Sequence, residues 1–143
     1  MKVLLQRVRR AEVRVEGRRV GSIGAGLLVF IGVERGDGPD DVEAYAAKTA
    51  ELRIFGDAAG RMNLDVRQAG GAILVVSQFT LAGSTRRGLR PSFDGAEEPG
   101  RANELYLAYV EALRERGLSV ATGAFGAMME VELVNDGPVT FLL

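Results

Sequence analysis

Residues 72 to 81 read Ala-Ile-Leu-Val-Val-Ser-Gln-Phe-Thr-Leu and give the strongest strand signal in the chain. The first five residues are continuously apolar, which predicts a strand buried on both faces. Polar side chains appear only at the end of the stretch, at Ser77, Gln78 and Thr80. Buried polar groups need hydrogen-bond partners. This strand end is therefore expected to contact a neighbouring loop, another strand or a ligand.

Around this strand, hydrophobic periodicity predicts more strands than helices. The predicted strands cover residues 2–16, 19–24, 26–34, 72–81, 129–134 and 138–143, with a hairpin turn at 135–137. The predicted helices run from Pro39 to Phe55 and from Arg101 to Arg116. We expect one domain over residues 1–143 with a mixed α/β fold. It should be a β-rich, barrel-like sheet of mostly antiparallel strands, with two main helices.

The first strand carries two arginines whose placement is open. Alternation puts Arg7 and Arg9 on the same face as the apolar residues Val3, Leu5, Ala11, Val13 and Val15. An arginine on an apolar face must be paired or lie in a site. The alternative is a bulge in the strand that turns both side chains outward.

Composition limits the class of protein. The chain has 143 residues and a formal net charge of −1. No apolar run reaches the roughly 20 residues that span a bilayer, so we expect a cytoplasmic protein. A chain without excess positive charge is no general polyanion binder, so any RNA contact must be local. Arg86, Arg87 and Arg90 form one candidate patch, within a long polar stretch from residue 83 to residue 100. That stretch is alternatively a solvated loop.

The chain contains no cysteine and no histidine. Cys/His zinc sites, cysteine nucleophiles and Ser-His-Asp triads are therefore excluded. A general base must be an Asp, Glu, Lys or Tyr side chain, or must belong to the substrate.

Gly137-Pro138-Val139-Thr140 follows Asn135-Asp136 near the end of the chain. By itself this composition indicates a tight turn. About 5–6% of X–Pro bonds in folded proteins are cis. A cis Gly-Pro pair would present two backbone carbonyls in the same direction.

Several segments together resemble the bacterial-type D-aminoacyl-tRNA deacylases. They are Leu5-Gln6-Arg7-Val8, Arg53-Ile54-Phe55, Met62-Asn63-Leu64, Gln68-Ala69-Gly70-Gly71, Ser77-Gln78-Phe79-Thr80-Leu81, Arg90-Pro91-Ser92-Phe93 and Leu133-Val134-Asn135-Asp136-Gly137-Pro138-Val139-Thr140. The resemblance covers essentially the whole chain, in order. One departure is Met128, where family members commonly carry an aspartate, and it leaves the role of residues 126–129 open.

The resemblance implies the fold of that family and a homodimer whose site is shared between subunits. The substrates would be D-aminoacyl-tRNA and Gly-tRNA, with no cofactor, metal, DNA or membrane involved. Hydrolysis would use the 2′-hydroxyl of the terminal ribose. The residues that the resemblance assigns to catalysis are Ser77, Gln78, Phe79 and Thr80. Those assigned to chiral selection are Gly137 and Pro138 of the partner subunit, and those assigned to support or substrate binding are Arg7, Met129, Val139 and Thr140.

Two other functions compete with this one. A related deacylase with a trans Gly-Pro pair acts on small L-aminoacyl-tRNAs. A non-catalytic module that binds the tRNA 3′ end is the second alternative, because archaeal threonyl-tRNA synthetases carry a similar domain.

Thr80 has two candidate roles, as a nucleophile or as a group that positions the substrate. A threonine without an adjacent base is a poor nucleophile at neutral pH, so we expect the positioning role. Replacing Thr80 with Val should then reduce the rate of D-Tyr-tRNA deacylation only a few fold. Single-turnover kinetics measure this, and a loss of several orders of magnitude would instead support the nucleophile.

Overall fold

The computed structural model describes residues 1–143. Its strands are β1 (Lys2–Val15), β2 (Arg18–Ile23), β3 (Gly26–Gly32), β4 (Phe55–Gly56), β5 (Met62–Leu64), β6 (Ala72–Ser77), β7 (Val120–Thr122) and β8 (Glu130–Leu142). Its helices are α1 (Pro39–Glu51), a 3₁₀ helix (Phe79–Ala82) and α2 (Pro99–Glu115). No helix is both long and apolar enough to cross a membrane.

β1 is the strand on which the sheet is built. It pairs antiparallel with β2, β3 and β8. Residues 11–14 of β1 pair with both β2 and β8, so these two strands lie on opposite sides of it. β3 pairs with β1 on the same side as β2. β6 pairs in parallel with β3, and β7 pairs in parallel with β6. The mixed α/β fold with a mostly antiparallel sheet and two main helices is confirmed.

The sheet curls until β2 meets β7. At Gly21 an added Cβ would lie 2.2 Å from the backbone oxygen of Thr122, so only glycine allows this approach. The sheet is therefore nearly closed, as the predicted barrel-like form requires.

Two apolar cores lie on the two faces of the sheet. Between the sheet and the helices, Leu27, Val29, Ile73 and Val75 pack with residues of α1 and α2 such as Tyr109. The core on the other face consists of Val8, Ala11, Val13, Leu28, Leu74 and Val76. β3 and β6 are thus buried on both faces, which confirms the prediction for residues 72–76.

The predicted face of β1 was wrong in its second half. Val3 and Leu5 belong to the core under the helices, whereas Ala11 and Val13 belong to the opposite core. The reason is a bulge. Val8 pairs with Asn135 and Arg10 with Val134, so the intervening Arg9 has no partner and the alternation shifts by one residue.

Three predicted boundaries also change. α1 ends at Glu51 rather than at residue 55, because Leu52 adopts an extended conformation with ψ 120°. α2 begins at Pro99, since the Glu98 carboxylate caps it by accepting hydrogen bonds from the amides of Gly100 and Arg101. β6 ends at Ser77, and the residues after Gln78 form the 3₁₀ helix instead of continuing the strand.

The predicted hairpin at residues 135–137 is absent. β8 is one strand whose two halves both pair with β1. The Asp-Gly dipeptide that indicated a hairpin lies instead in a wide bulge of β8, which we call the Gly-Pro bulge and define as residues 136–139. A β-bulge and a tight turn need the same permissive residues, so local composition does not distinguish them.

Candidate functional site

The end of β6 leaves the sheet at Gln78. The Gln78 amide donates to the Ile31 carbonyl at 2.7 Å, and the chain then turns into the 3₁₀ helix. The Leu81 amide bonds to Gln78 O and the Gly83 amide to Thr80 O. The first amides of this helix, those of Phe79 and Thr80, consequently have no acceptor within the helix. The Gln78 side-chain amide donates to the Thr80 hydroxyl.

A cavity of about 540 Å³ opens beside this strand end. Ser77, Gln78 and Phe79 line it, together with Val33, residues 96–97 and residues 125–129. Met129 lies in its wall, and the Met129 sulfur accepts a hydrogen bond from the Ala124 amide at 3.4 Å. Thr80 is exposed nearby and does not line the cavity. The predicted residues 77–79 and Met129 are thus brought together.

Aromatic rings form part of the cavity wall and its rim. Phe79 is 58% exposed and packs against Phe93, with ring centroids 5.0 Å apart. On the other wall, Phe125 packs against Tyr106 at 5.8 Å. The Tyr106 hydroxyl donates to the Val75 carbonyl at 3.0 Å. Burial raises the pKa of Tyr106 to about 12, so this hydroxyl stays protonated at neutral pH and is no general base.

Sequence reasoning missed one charged residue of this cavity. Glu97 is the only ionisable side chain among the lining residues. Its Oε1 atom accepts a hydrogen bond from the Glu98 amide at 2.8 Å. No local pattern marks Glu97, because a bridge between the distant residues Glu34 and Ala96 brings it to the cavity.

The Gly-Pro bulge lies opposite Arg7. Gln6 pairs with Thr140 and Val8 with Asn135, so the four residues of the bulge oppose a single residue of β1. The peptide bond between Gly137 and Pro138 is cis, and both residues are exposed. Neither residue lines the cavity of its own chain.

Arg7 holds the bulge against the body of the protein. Its Nε donates to the carbonyl oxygen of Asp136 at 2.9 Å, and its NH1 donates to that of Ile54 at 2.5 Å. The carbonyl that accepts from Nε is the one immediately before Gly137. The Arg7 side chain is 16% exposed, whereas that of Arg9 is 75% exposed beside the same Asp136. The outward-turned alternative therefore holds for Arg9, whereas Arg7 is paired, as an arginine on an apolar face must be.

The Asn135 side chain closes the base of the bulge. Its Oδ1 accepts from the Val139 amide at 2.7 Å, and its Nδ2 donates to the Val139 carbonyl at 3.1 Å. Val139 itself is buried in the core under the helices. Thr140 hydroxyl oxygen accepts from the Gln6 side chain at 3.1 Å. Two hydrogen bonds between Asn135 and Val139 thus join the residues on either side of the exposed Gly137-Pro138 segment.

Comparison with protein-family models gives a match over nearly the whole chain. The family model for D-Tyr-tRNA(Tyr) deacylase matches residues 4–143. The chain belongs to the D-Tyr-tRNA(Tyr) deacylase family. The resemblance drawn from the sequence motifs is therefore confirmed.

Members of the D-Tyr-tRNA(Tyr) deacylase family are similar along the full chain. D-aminoacyl-tRNA deacylases from Syntrophotalea carbinolica and Anaeromyxobacter dehalogenans are 60% and 59% identical, covering 100% of this chain and 96% of each relative. A solved structure of the c-Myc DNA unwinding element binding protein is 37% identical, with TM-score 0.94 and coverage of 100% and 97%. A probable eukaryotic D-amino acid tRNA deacylase has the same fold at 17% identity, with TM-score 0.85 and coverage of 99% and 97%.

Arg7 and Arg9 allow a matched test of what anchors the bulge. Replacing Arg7 with Met leaves the carbonyls of Asp136 and Ile54 without their donor, and hydrogen bonds to charged groups contribute about 1.5–3 kcal/mol each. We expect Arg7→Met to lower the free energy of unfolding by at least about 3 kcal/mol in urea titrations, the lower end of that sum. Arg9→Met removes an exposed ion pair and should change it by less than about 0.5 kcal/mol. Equal effects of the two substitutions would contradict this account of Arg7.

Proposed function

We propose that this chain hydrolyses the ester that joins a D-amino acid to the 3′-terminal ribose of tRNA, in the cytoplasm. The observation that supports this most strongly is the match of the whole family model to a chain whose cavity adjoins residues 77–79. In the reaction, water adds to the ester carbonyl carbon. The bond to the ribose oxygen then breaks, and that oxygen leaves with a proton. The products are the free D-amino acid and tRNA.

The chemistry proposed here relies on positioning. No histidine or cysteine exists in the chain, and Tyr106 stays protonated. The neighbouring 2′-hydroxyl of the substrate lies beside the ester and can assist the attack of water. Well-oriented intramolecular groups contribute roughly 7–11 kcal/mol to catalysis. The Phe79 and Thr80 amides, which have no acceptor within their helix, are the proposed donors to the developing oxyanion.

The contacts of Thr80 support its positioning role. Its hydroxyl oxygen accepts the Gln78 side-chain amide, and no carboxylate or amine hydrogen-bonds to it. A hydroxyl with that partner keeps its own proton available for donation to the substrate. It lacks the adjacent base that an activated nucleophile requires.

Chiral selection is assigned to the Gly-Pro bulge of a second subunit. L and D substrates differ only in the exchange of a hydrogen and a side chain at one carbon, so exclusion discriminates better than attraction. Gly137 and Pro138 are exposed and lie outside their own chain's cavity. In the proposed dimer their backbone enters the partner's cavity and occupies the space of an L side chain. Glycine has no side chain, so Gly-tRNA is accepted.

The surface of β8 favours such a homodimer. β8 pairs only with β1, so its other edge is free. Val134, Phe141 and Leu142 are large apolar residues that lie exposed on this strand, on both sides of the bulge. Exposed apolar residues on an unpaired strand edge are typical of interaction surfaces.

A deacylation assay with D-Tyr-tRNA, Gly-tRNA, L-Tyr-tRNA and L-Ala-tRNA tests the proposal. We expect hydrolysis of the first two and protection of both L substrates. A D-Tyr-tRNA whose terminal ribose lacks the 2′-hydroxyl should react at least about 10³-fold more slowly, because its assisting group is gone.

Each alternative function gives a different result in this assay. Hydrolysis of L-Ala-tRNA but not D-Tyr-tRNA would favour the related deacylase that acts on small L residues. Binding of tRNA without turnover of any substrate would favour the non-catalytic module. An active monomer with full chiral discrimination, detected by sedimentation, would contradict the role of the partner's bulge.

Asn135 offers a test of the bulge that leaves the cavity untouched. Replacing Asn135 with Ala removes both hydrogen bonds to Val139, so the position of Gly137-Pro138 becomes less defined. We expect the ratio of D-Tyr-tRNA to L-Tyr-tRNA deacylation rates to fall at least about tenfold, a change of about 1.4 kcal/mol. Asn135→Asp keeps the acceptor for the Val139 amide and should fall between Ala and wild type. An unchanged ratio in a folded Asn135→Ala variant would show that the hydrogen bonds to Val139 do not set selectivity.

A further inference from the structure

The loop that follows the 3₁₀ helix closes on itself at its base. Ser84 and Ser92 exchange two backbone hydrogen bonds, with N–H to O distances of 2.7 and 2.9 Å. We call residues 84–92 the arginine tip, because Arg86, Arg87 and Arg90 lie within it. Residues 84–91 are all exposed. The loop therefore projects from the protein, and the two hydrogen bonds between Ser84 and Ser92 hold its ends together.

The base of the arginine tip is attached to the rim of the cavity. Gly83 precedes it, and a Cβ at this position would lie 2.9 Å from the Phe93 ring. Phe93 follows the tip and packs on Phe79, which lines the cavity. The tip is therefore attached beside a residue that both lines the cavity and is exposed to solvent.

The three arginines of the tip have no partners in the protein. None of them takes part in an ion pair or donates a side-chain hydrogen bond. Only three other arginines share this property, and they lie elsewhere in the sequence: Arg18, Arg61 and Arg67. Unpaired guanidinium groups present forked donors that match phosphate oxygens. Half of the unpartnered arginines therefore lie at one edge of the site.

The formal net charge of the chain is −1, so no overall positive field draws RNA to it. Attraction to phosphate must come from a local cluster. Leu89 lies fully exposed between Arg87 and Arg90. The exposed apolar surface of Leu89 is available to contact the face of a nucleobase or a ribose.

We propose that the arginine tip binds the backbone phosphates of the single-stranded 3′ end of tRNA, just outside the cavity. The inference rests on the proposed function, because that function places the terminal nucleotide at the cavity. An RNA strand that leaves the cavity past Phe79 and Phe93 reaches the tip, because the tip is attached there. The tip thereby selects a polynucleotide-linked ester over a free aminoacyl nucleoside.

The test compares two triple variants with the same change in charge. R86Q/R87Q/R90Q removes the cations of the tip, and R18Q/R61Q/R67Q removes the other three unpartnered arginines. Two substrates are used, D-Tyr-tRNA and the 3′ D-tyrosyl ester of adenosine, which has no phosphate. For D-Tyr-tRNA we expect kcat/KM of the tip variant to fall at least about tenfold through KM. The control variant should stay within about twofold, and the adenosine ester should not distinguish the two.

Salt dependence supplies a readout that a purely structural role would not change. Each phosphate contact on a single strand contributes about 0.7 to the slope of log affinity against log salt. For three contacts, wild-type kcat/KM on D-Tyr-tRNA should fall about 20-fold more than that of the tip variant between about 50 and about 200 mM KCl. Fluorescence anisotropy with uncharged tRNA as the probe gives the same comparison without turnover.

The outcomes separate this inference from the proposed function. If wild type hydrolyses neither substrate but uncharged tRNA still binds with a tip-dependent salt slope, the proposed function fails and the tip assignment stands. An unchanged slope in the tip variant would overturn the assignment. Equal loss on the adenosine ester would overturn it too, since the tip would then support the cavity itself. Loss of the dimer in sedimentation of the tip variant would assign these arginines to a subunit contact instead.

Discussion

The pairing of β8 with β1 is the constraint on which the site depends. Both strands are long, but their registers do not match throughout. Between the pairs Gln6–Thr140 and Val8–Asn135, β8 has more residues than β1 can oppose. The excess must leave the sheet, and it does so as the Gly-Pro bulge. The single opposing residue is Arg7, whose guanidinium donates to the carbonyls of Asp136 and Ile54. The extra residues of β8 therefore project from the sheet in a position that Arg7 holds.

A second constraint is the absence of histidine and cysteine. Without these residues, a hydrolytic site must use other side chains, backbone groups or the substrate itself. The end of β6 supplies backbone groups, because the Phe79 and Thr80 amides are the first of the 3₁₀ helix and have no acceptor within it. The neighbouring wall is apolar, with Glu97 as its one ionisable side chain. This arrangement suits the binding and orientation of an ester more than its attack by a side chain.

Sequence reasoning succeeded where one local signal decided the structure. The apolar run from Ala72 to Val76 predicted a strand buried on both faces, and it lies between two cores. The two predicted helices are also present, and their apolar residues Val42, Ala46, Leu105 and Tyr109 are buried. Prediction from the sequence failed where pairing between distant strands decided the structure. The bulge at Arg9 reversed the face of Ala11 and Val13, and the Asp-Gly signal at residues 136–137 marked a bulge, not a hairpin.

The sequence by itself determined the class of chemistry and the family, because residue types and ordered motifs do not depend on folding. It identified Ser77–Thr80 and Gly137-Pro138 as the segments of interest. Only the tertiary structure decided how each is used. It placed residues 77–79 in a cavity with Glu97, Phe125 and Met129, and left Gly137-Pro138 exposed outside that cavity. The physical reason is that register and burial arise from contacts between residues far apart in the chain, such as residues 7 and 136, which no local pattern contains.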